Sequence, residues 1–525
     1  MSEKHPPSEP KGRGADSPAS RRAAAPTGLR SDEGATREGG ASRAARRRAG
    51  QALTPQDTVE RALAVATSGD CVVIADETST ANLRWAGNTL TTNGVSRSRQ
   101  LTVIAIDRRD AGNGPSAAVG VVSRAGVRPG QIEDVVREAE HAAAEGAPAE
   151  DAGEVAGARE PGPFGINNGE PGWDAPPGRT EIGVLRDFAA GLGQTLRAAE
   201  AAGRKLYGFA EHQMESTFLG TSAGLRQRHD QPTGRVELNA KSADLARSAW
   251  AGVATRDFTD VDIAGLDAGL AGRLAWAERT VSLPAGRYET LLPPTAVSDL
   301  LTYLYWSAGA KDAADGRTVF SKPGGGTRIG ERLTSQPVTL SSDPRAKGLA
   351  CVPFVVAHAS RADSSVFDNG LPLSPTSWIR DGSLAALVSS RHSAAAAGVP
   401  VTPAIDNLTF ATSAAGAPTL EQMIASTGRG LLLTCLWYIR EVDPQTLLLT
   451  GLTRDGVYLV ENGEVTGAVN NFRFNESPVG MLGRLLEVGV TEPTLPREWA
   501  DYFNRAAMPP VRVEGFNMSS VSPAS

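Results

Sequence analysis

The sequence predicts an α+β protein: α/β amino-terminal and central regions followed by a strand-rich, antiparallel carboxy-terminal domain. Three observations carry this expectation. Aromatics make up only 5% of the 525 residues, while Gly (57) and Pro (34) are plentiful; that composition favours short elements joined by many turns over a long helical bundle. Apolar residues recur at helical spacing in some windows and as β-branched runs in others. Late in the chain, two β runs flank the turn Glu461-Asn462-Gly463-Glu464, a strong hairpin signal.

Taken in order, residues 1–50 are Pro, Ser, Ala, Gly and Arg with almost no large apolar side chains. Such a stretch cannot bury enough surface to offset its ordering entropy, so it reads as a disordered tail. Its closing Arg46-Arg47-Arg48 reads as a solvated charge run. Order begins at Thr54-Pro55-Gln56-Asp57, which supplies an N-cap, a proline for the first helical turn and an early acid. Val59, Ala62, Leu63 and Ala66 then share one helical face, and Ile132, Val135, Val136 and Ala139 mark a second amphipathic helix. Between them, Cys71 to Ala75, Leu101 to Ile106 and Ala117 to Val122 read as strands, giving an amino-terminal α/β domain over 51–145. Residues 146–179, rich in Gly, Pro and acids, read as a linker or long loop.

A central domain is expected over 180–283. It opens with a helix carrying the stripe Leu185, Phe188, Leu192, Leu196, Ala199 and continues with strands at 205–212, 215–219 and 235–240. Helical patterns return at Ser242 to Ala254 and at Ile263, Leu266, Leu270 and Leu274, before Leu283-Pro284 marks a break. From 284 to 525 the chain is strand-rich, with runs at Thr446 to Leu452, Val457 to Val460 and Val465 to Val469.

Charge and cysteine usage narrow the function classes. A net charge of −6 and a pI near 5.7 leave no global electrostatic footprint for nucleic acid or an anionic membrane. Cys71, Cys351 and Cys435 are odd in number and sit among apolar residues, which argues against a disulfide framework and for reducing cytoplasm. No apolar run approaches the ~20 residues that span a bilayer, and the chain starts without a signal-peptide core, so neither insertion nor export is expected.

Catalytic signatures are sparse. The histidines are His5, His141, His212, His229, His358 and His392, and no two have metalloprotease spacing. Gly220-Thr221-Ser222-Ala223-Gly224 fits the nucleophile-elbow pattern, with His229 nearby, but the polar stretch after it ends at Pro232 and offers no elbow helix. A turn between antiparallel strands explains the same glycines. Gly324-Gly325-Gly326 lacks the Gly-Lys-Ser/Thr ending of a phosphate loop, and Asp257, Asp260 and Asp262 lack the glycine and glutamate of a calcium loop. The acids suit helix capping, and Cys435, in an apolar strand pattern, suits a small buried hydrophobe.

Several segments resemble the TldD/PmbA family, and specifically its TldE (PmbA) branch. Ala81-Asn82-Leu83-Arg84-Trp85 with Asn88 to Gly94 is similar to the family's first strand pair. Glu215 to Ser222 followed by Gln231-Pro232-Thr233-Gly234 is similar to its central domain. Phe367-Asp368-Asn369-Gly370, Ile439 to Pro444, and Val457 to Glu464 with Val469 to Phe474 resemble its carboxy-terminal domain. The resemblance implies a PmbA/TldD-type architecture and a zinc peptidase setting. Its catalytic subunit, TldD, holds zinc through an HExxxH helix and a cysteine near the carboxy terminus. The corresponding stretch here, Leu291 to Leu304, contains no histidine, and no cysteine follows Cys435. No catalytic, cofactor-binding or metal residue therefore carries over.

The resemblance implies a non-catalytic partner of a TldD-like zinc peptidase acting on unfolded or peptide substrates, with zinc expected in the partner and self-pairing open to the isolated chain. Two other readings stay open: a peptidase or serine hydrolase using an unrecognised site, and a stand-alone peptide-binding or scaffolding protein.

Overall fold

Thr54 caps the first helix as its sequence predicts: its Oγ1 accepts from the Asp57 N–H at 3.1 Å, and Pro55 opens α1 (Pro55–Val65). The computed structural model describes residues 53–111, 114–157 and 172–523. The tail expected at 1–50, and 158–171 of the expected linker, lie outside the described residues.

Six strands form one antiparallel sheet: β1 (Asp70–Ala86), β2 (Thr89–Ala111), β3 (Gly114–Ala125), β4 (Arg204–Thr221), β5 (Arg226–Ser242) and β6 (Ser248–Thr255), in the order β3-β2-β1-β4-β5-β6. Segments 51–145 and 180–283 thus contribute three strands each to a single sheet. The β1–β2 turn uses Gly87 and Asn88 at φ +57° and +67°, values that only Gly and Asn adopt readily.

Side chains alternate along a strand, and β1 uses one face for two jobs. Cys71, Val73 and Ala75 pack under α1 and α2 (Ile132–Glu145), while Ala81, Leu83 and Trp85 pack under α3 (Arg186–Ala201) and α4 (Ile263–Trp276). Between the two helix pairs, that face carries Glu77 and Ser79, both buried. Ser79 Oγ accepts from the Thr180 N–H at 2.8 Å; Glu77 accepts from Arg179 and forms an ion pair with Arg99 at 2.7 Å. The chain around 179–180 therefore crosses the sheet between the helix pairs. On the opposite face, Val72 and Ile74 meet Phe354, Val366 and Phe367.

One expectation is corrected. Ser242 to Ala254 is not helical but a turn leading into β6. Leu245 adopts φ +63°, which no helix interior admits, and a side chain at Gly252 would meet the Trp250 ring at 2.5 Å. The strands expected at 205–212 and 215–219 are one continuous strand, β4.

Two further sheets follow. One, ordered β11-β10-β9-β12-β21-β20, comprises β9 (Val338–Ser342), β10 (Thr376–Arg380), β11 (Ser383–Leu384), β12 (Leu408–Thr412), β20 (Glu492–Thr494) and β21 (Ala506–Met508). The other contains β7 (Thr280–Val281), β8 (Gly286–Leu292), β13 (Arg429–Leu433), β14 (Leu436–Asp443), β15 (Leu448–Thr453), β16 (Val457–Glu461), β17 (Glu464–Val469), β18 (Phe472–Glu476), β19 (Leu485–Val488) and β22 (Val511–Val521). It runs β14-β15-β18-β22-β8-β13-β16-β17-β7, with β19 on β22. The pairing is mainly antiparallel; β13–β8, β17–β7 and β12–β21 are parallel. The predicted hairpin is β16–β17, turning at Asn462 (φ +52°) and Gly463 (φ +84°).

A core drawn from both sheets encloses helix α5 (Pro294–Trp306), whose Val297, Leu300, Leu301 and Leu304 are buried in it. Short helices α6 (Ala310–Ala314), α7 (Arg391–Ala397), α8 (Leu420–Ser426) and α9 (Pro478–Leu482) complete the structure. No helix among the described residues is long and apolar enough to cross a membrane.

Candidate functional site on the buried helix

Helix α5 is apolar on most of its circumference, as a helix inside a core must be. One stripe departs from this rule: at 100° per residue, Thr295, Ser298, Asp299 and Thr302 fall on one side. Ser298, Asp299 and Thr302 are fully buried.

The segment 495–499 is tied to this stripe. Thr295 Oγ1 donates to the Leu495 carbonyl at 2.8 Å, the Glu498 N–H donates to Asp299 Oδ1 at 2.9 Å, and Trp499 Nε1 donates to the Asp299 carbonyl at 2.8 Å. The Trp499 ring also lies against Tyr303 and Trp306. Glu498 turns the other way and accepts from the backbone of Tyr438 and Ile439 on edge strand β14, at 3.0 and 3.1 Å. Arg497 lies over two indoles: its guanidinium carbon is 3.4 Å from the Trp437 ring centre and 4.7 Å from that of Trp250. A cation on these π faces joins β6, β14 and the 495–499 segment.

Burial sets the protonation states. It holds the Asp299 carboxyl well above the usual range, helped by the negative charge of Glu498 and opposed by the Glu498 N–H and Arg497. Burial also pushes the Cys435 thiol up to about 12. Several buried atoms here have no hydrogen-bond partner among the described residues: Ser298 Oγ, Asp299 Oδ2, Thr302 Oγ1, Trp437 Nε1 and Arg497 Nε. An unpartnered buried polar group costs about 1–3 kcal/mol.

The stripe does not fit zinc. Its donors are hydroxyls and a single carboxyl with no imidazole among them, whereas a zinc site is built from three or four thiolate, imidazole or carboxylate ligands. Among the described residues, no three His, Cys, Asp or Glu side chains are arranged to hold a metal ion.

The other residues singled out in the sequence lie elsewhere. Ser222 sits at the β4–β5 turn; its Oγ accepts from the Cys71 N–H at 3.0 Å and donates to Asp70, while His229 Nε2 pairs with Gln231. His358 faces Thr102 and Asp76 of the first sheet, and His392 is on α7. Asp262 caps α4 through the Gly265 N–H, and Asp257 accepts from Thr259. Gly324, Gly325 and Gly326 all have positive φ, in a turn closed by the Ser321–Thr327 bridge. Sequence reading missed Trp250, Trp437, Arg497 and Glu498. The one available signal was Arg497-Glu498-Trp499, a charged pair set between apolar neighbours.

Residues 285–520 match the profile of the PmbA/TldA metallopeptidase C-terminal domain. The region built around α5 is therefore a domain of metallopeptidase type. No curated protein matches the chain by sequence. Among solved structures, TldE from Thermococcus kodakarensis is 15% identical, with a TM-score of 0.70 over 88% of this chain and 99% of that one. A proposed modulator of a DNA gyrase from Thermotoga maritima is 16% identical, with a TM-score of 0.67 over 88% and 99%. A similarly described protein from Bacteroides thetaiotaomicron is 15% identical, with a TM-score of 0.65 over 89% and 98%. Residues 285–520 are thus matched to the PmbA/TldA C-terminal domain, and the fold of the chain is like that of TldE.

Proposed function

We propose that this chain is a TldE-like, non-catalytic subunit that pairs with a TldD-type zinc metallopeptidase acting on unfolded or peptide substrates. The observation that carries this reading is the donor set of α5. A helix of a metallopeptidase-type domain offers Ser298, Asp299, Thr302 and Tyr303, with no imidazole. Catalytic zinc needs about three deprotonated protein ligands and an open position, and this helix supplies no such set. The helix is retained as architecture. Edge strand β14, with Tyr438 and Val442 exposed, offers one place for an extended chain to lie against the sheet. Three buried, unpaired cysteines accord with a reducing cytoplasmic setting.

Metal analysis after dialysis, beside a peptide-cleavage assay, tests the reading. The isolated chain is expected to carry no stoichiometric zinc and to cleave nothing; the same chain co-expressed with a TldD-like partner bearing HExxxH is expected to yield a complex that does both. One equivalent of zinc on the isolated chain, lost on mutating His358 or His392, would make it an enzyme in its own right.

A further inference from the structure

The six-stranded sheet has a step in its outer edge. β2 is paired with β1 from Thr89 to Ile106, but with β3 only from Gln100 onward. β3 ends at Ala125, and the Gly126 N–H closes the step by donating to the Arg99 carbonyl at 2.9 Å. Over Thr92–Ser98 the outer backbone groups of β2 bond to no other segment among the described residues. Both faces of this stretch are open as well: every residue in it except the half-buried Gly94 is exposed. An open strand edge is a template for another chain, and proteins usually guard it with proline, lysine or inward-pointing charge. Thr92–Ser98 holds no proline, lysine or acid, and its one charge, Arg97, faces Glu181 of the same chain at 3.6 Å.

Gly94 points to what fills the step. Its φ lies outside the left-handed region, and a Cβ added to it would meet no atom within 4 Å, so neither the backbone nor any described neighbour demands glycine there. Gly120, Gly208 and Gly220 of the same sheet differ, since the rest of the molecule leaves no room for a side chain at any of them. A strand-interior glycine like Gly94 is a common mark of close approach by another backbone. A second copy turned about a two-fold through Gly94 fills the step end to end. Thr92 then opposes Ser96 of the second copy, Asn93 opposes its Val95, and each hairpin tip at Gly87-Asn88 comes up against the end of the other copy's β3. The two Arg97 side chains fall at opposite ends, so no like charges oppose. An unrelated extended chain would meet the same edge without this match of length.

We propose that Thr92–Ser98 is a self-association surface on which a second copy of this chain pairs antiparallel, the two six-stranded sheets becoming one. The surface lies apart from α5, and the pairing does not depend on a TldD-type partner. A single strand pair is a small interface, so association in the micromolar range is expected.

Sedimentation equilibrium of the full chain at tens of micromolar is expected to give the mass of two chains. Gly94→Lys and Gly94→Asp each set like charges face to face on the two-fold, in space that a single chain leaves open. Each is expected to weaken self-association at least about tenfold while melting within a few degrees of wild type. An equal mixture of the two opposes lysine to aspartate and is expected to restore the dimer. Should either variant lose its fold, oxidised Gly94→Cys is expected to run as a covalent dimer on a non-reducing gel, a link that the three buried cysteines of wild type do not make. A wild-type chain with the mass of one, charged variants that pair as wild type does, a mixture that stays monomeric, or no covalent dimer from Gly94→Cys overturns the proposal.

Discussion

At the scale of single residues, burial fixes the chemistry around α5. Asp299 has a folded-state pKa above its unfolded value. Above the unfolded value, near 3.9, the unfolded chain gives up its proton while the folded chain keeps it, so this group makes stability fall as pH rises until the folded pKa is passed. Asp299→Asn keeps an acceptor for the Glu498 N–H and removes that dependence. The variant is expected to melt no lower than wild type at pH 7, and wild type should gain on it as pH is lowered towards 4; a variant much less stable at pH 7 would show that the carboxylate is charged and held by Arg497. Cysteine accessibility gives a second check. Burial pushes the thiols of Cys71, Cys351 and Cys435 each up to about 12. Ellman's reagent is expected to find less than one thiol in the native chain and three after denaturation. That the α5 stretch carries no imidazole is read from the sequence directly, because histidines can be counted. The Arg497 contacts are not, since Trp250, Trp437 and Arg497 lie far apart along the chain and no local pattern links them.

At the scale of elements, legibility followed hydrophobic periodicity. The hairpin β16–β17 and helices α1 to α4 carry apolar residues on one face and were read correctly. Periodicity marked β1 only at Cys71 to Ala75, and the resemblance marked its far end at Ala81 to Trp85; the inward positions between them are Glu77 and Ser79, polar residues satisfied by the distant Arg99, Arg179 and Thr180. β6 was mistaken for a helix, because small residues around Trp250 fit either period. Glu77 also yields a prediction. Its carboxylate is almost fully buried between two arginines that are themselves 39% and 44% exposed. Glu77→Ala should lower stability by about 1–3 kcal/mol in urea melts, less than a fully buried pair would cost, because water can solvate the released arginines. A change below a few tenths of a kcal/mol would mean that the 179–180 crossing holds without it.

At the scale of the whole molecule, the sheet β3-β2-β1-β4-β5-β6 makes segments 51–145 and 180–283 depend on each other. The sequence suggested a boundary because Gly, Pro and acids cluster at 146–179, yet pairing between distant strands leaves no trace in composition. A fragment ending at residue 145 would leave β1 without β4 and the core under α1 and α2 without Phe218. It is expected to show little protected amide in hydrogen exchange; a cooperatively folded fragment would separate the two segments after all. The same pairing has a consequence in time. β1 joins β4 by matching Val72 with Thr221 and Trp85 with Gly208, partners more than 120 positions apart. A ribosome adding about 5–20 residues per second delivers β4 on the order of ten seconds after β1. Through that interval the newborn β1–β2 hairpin carries a bare row of amides and carbonyls along β1, open to any other extended chain, so slowed elongation, or many nascent copies at once, should favour clumping unless a chaperone shields that edge.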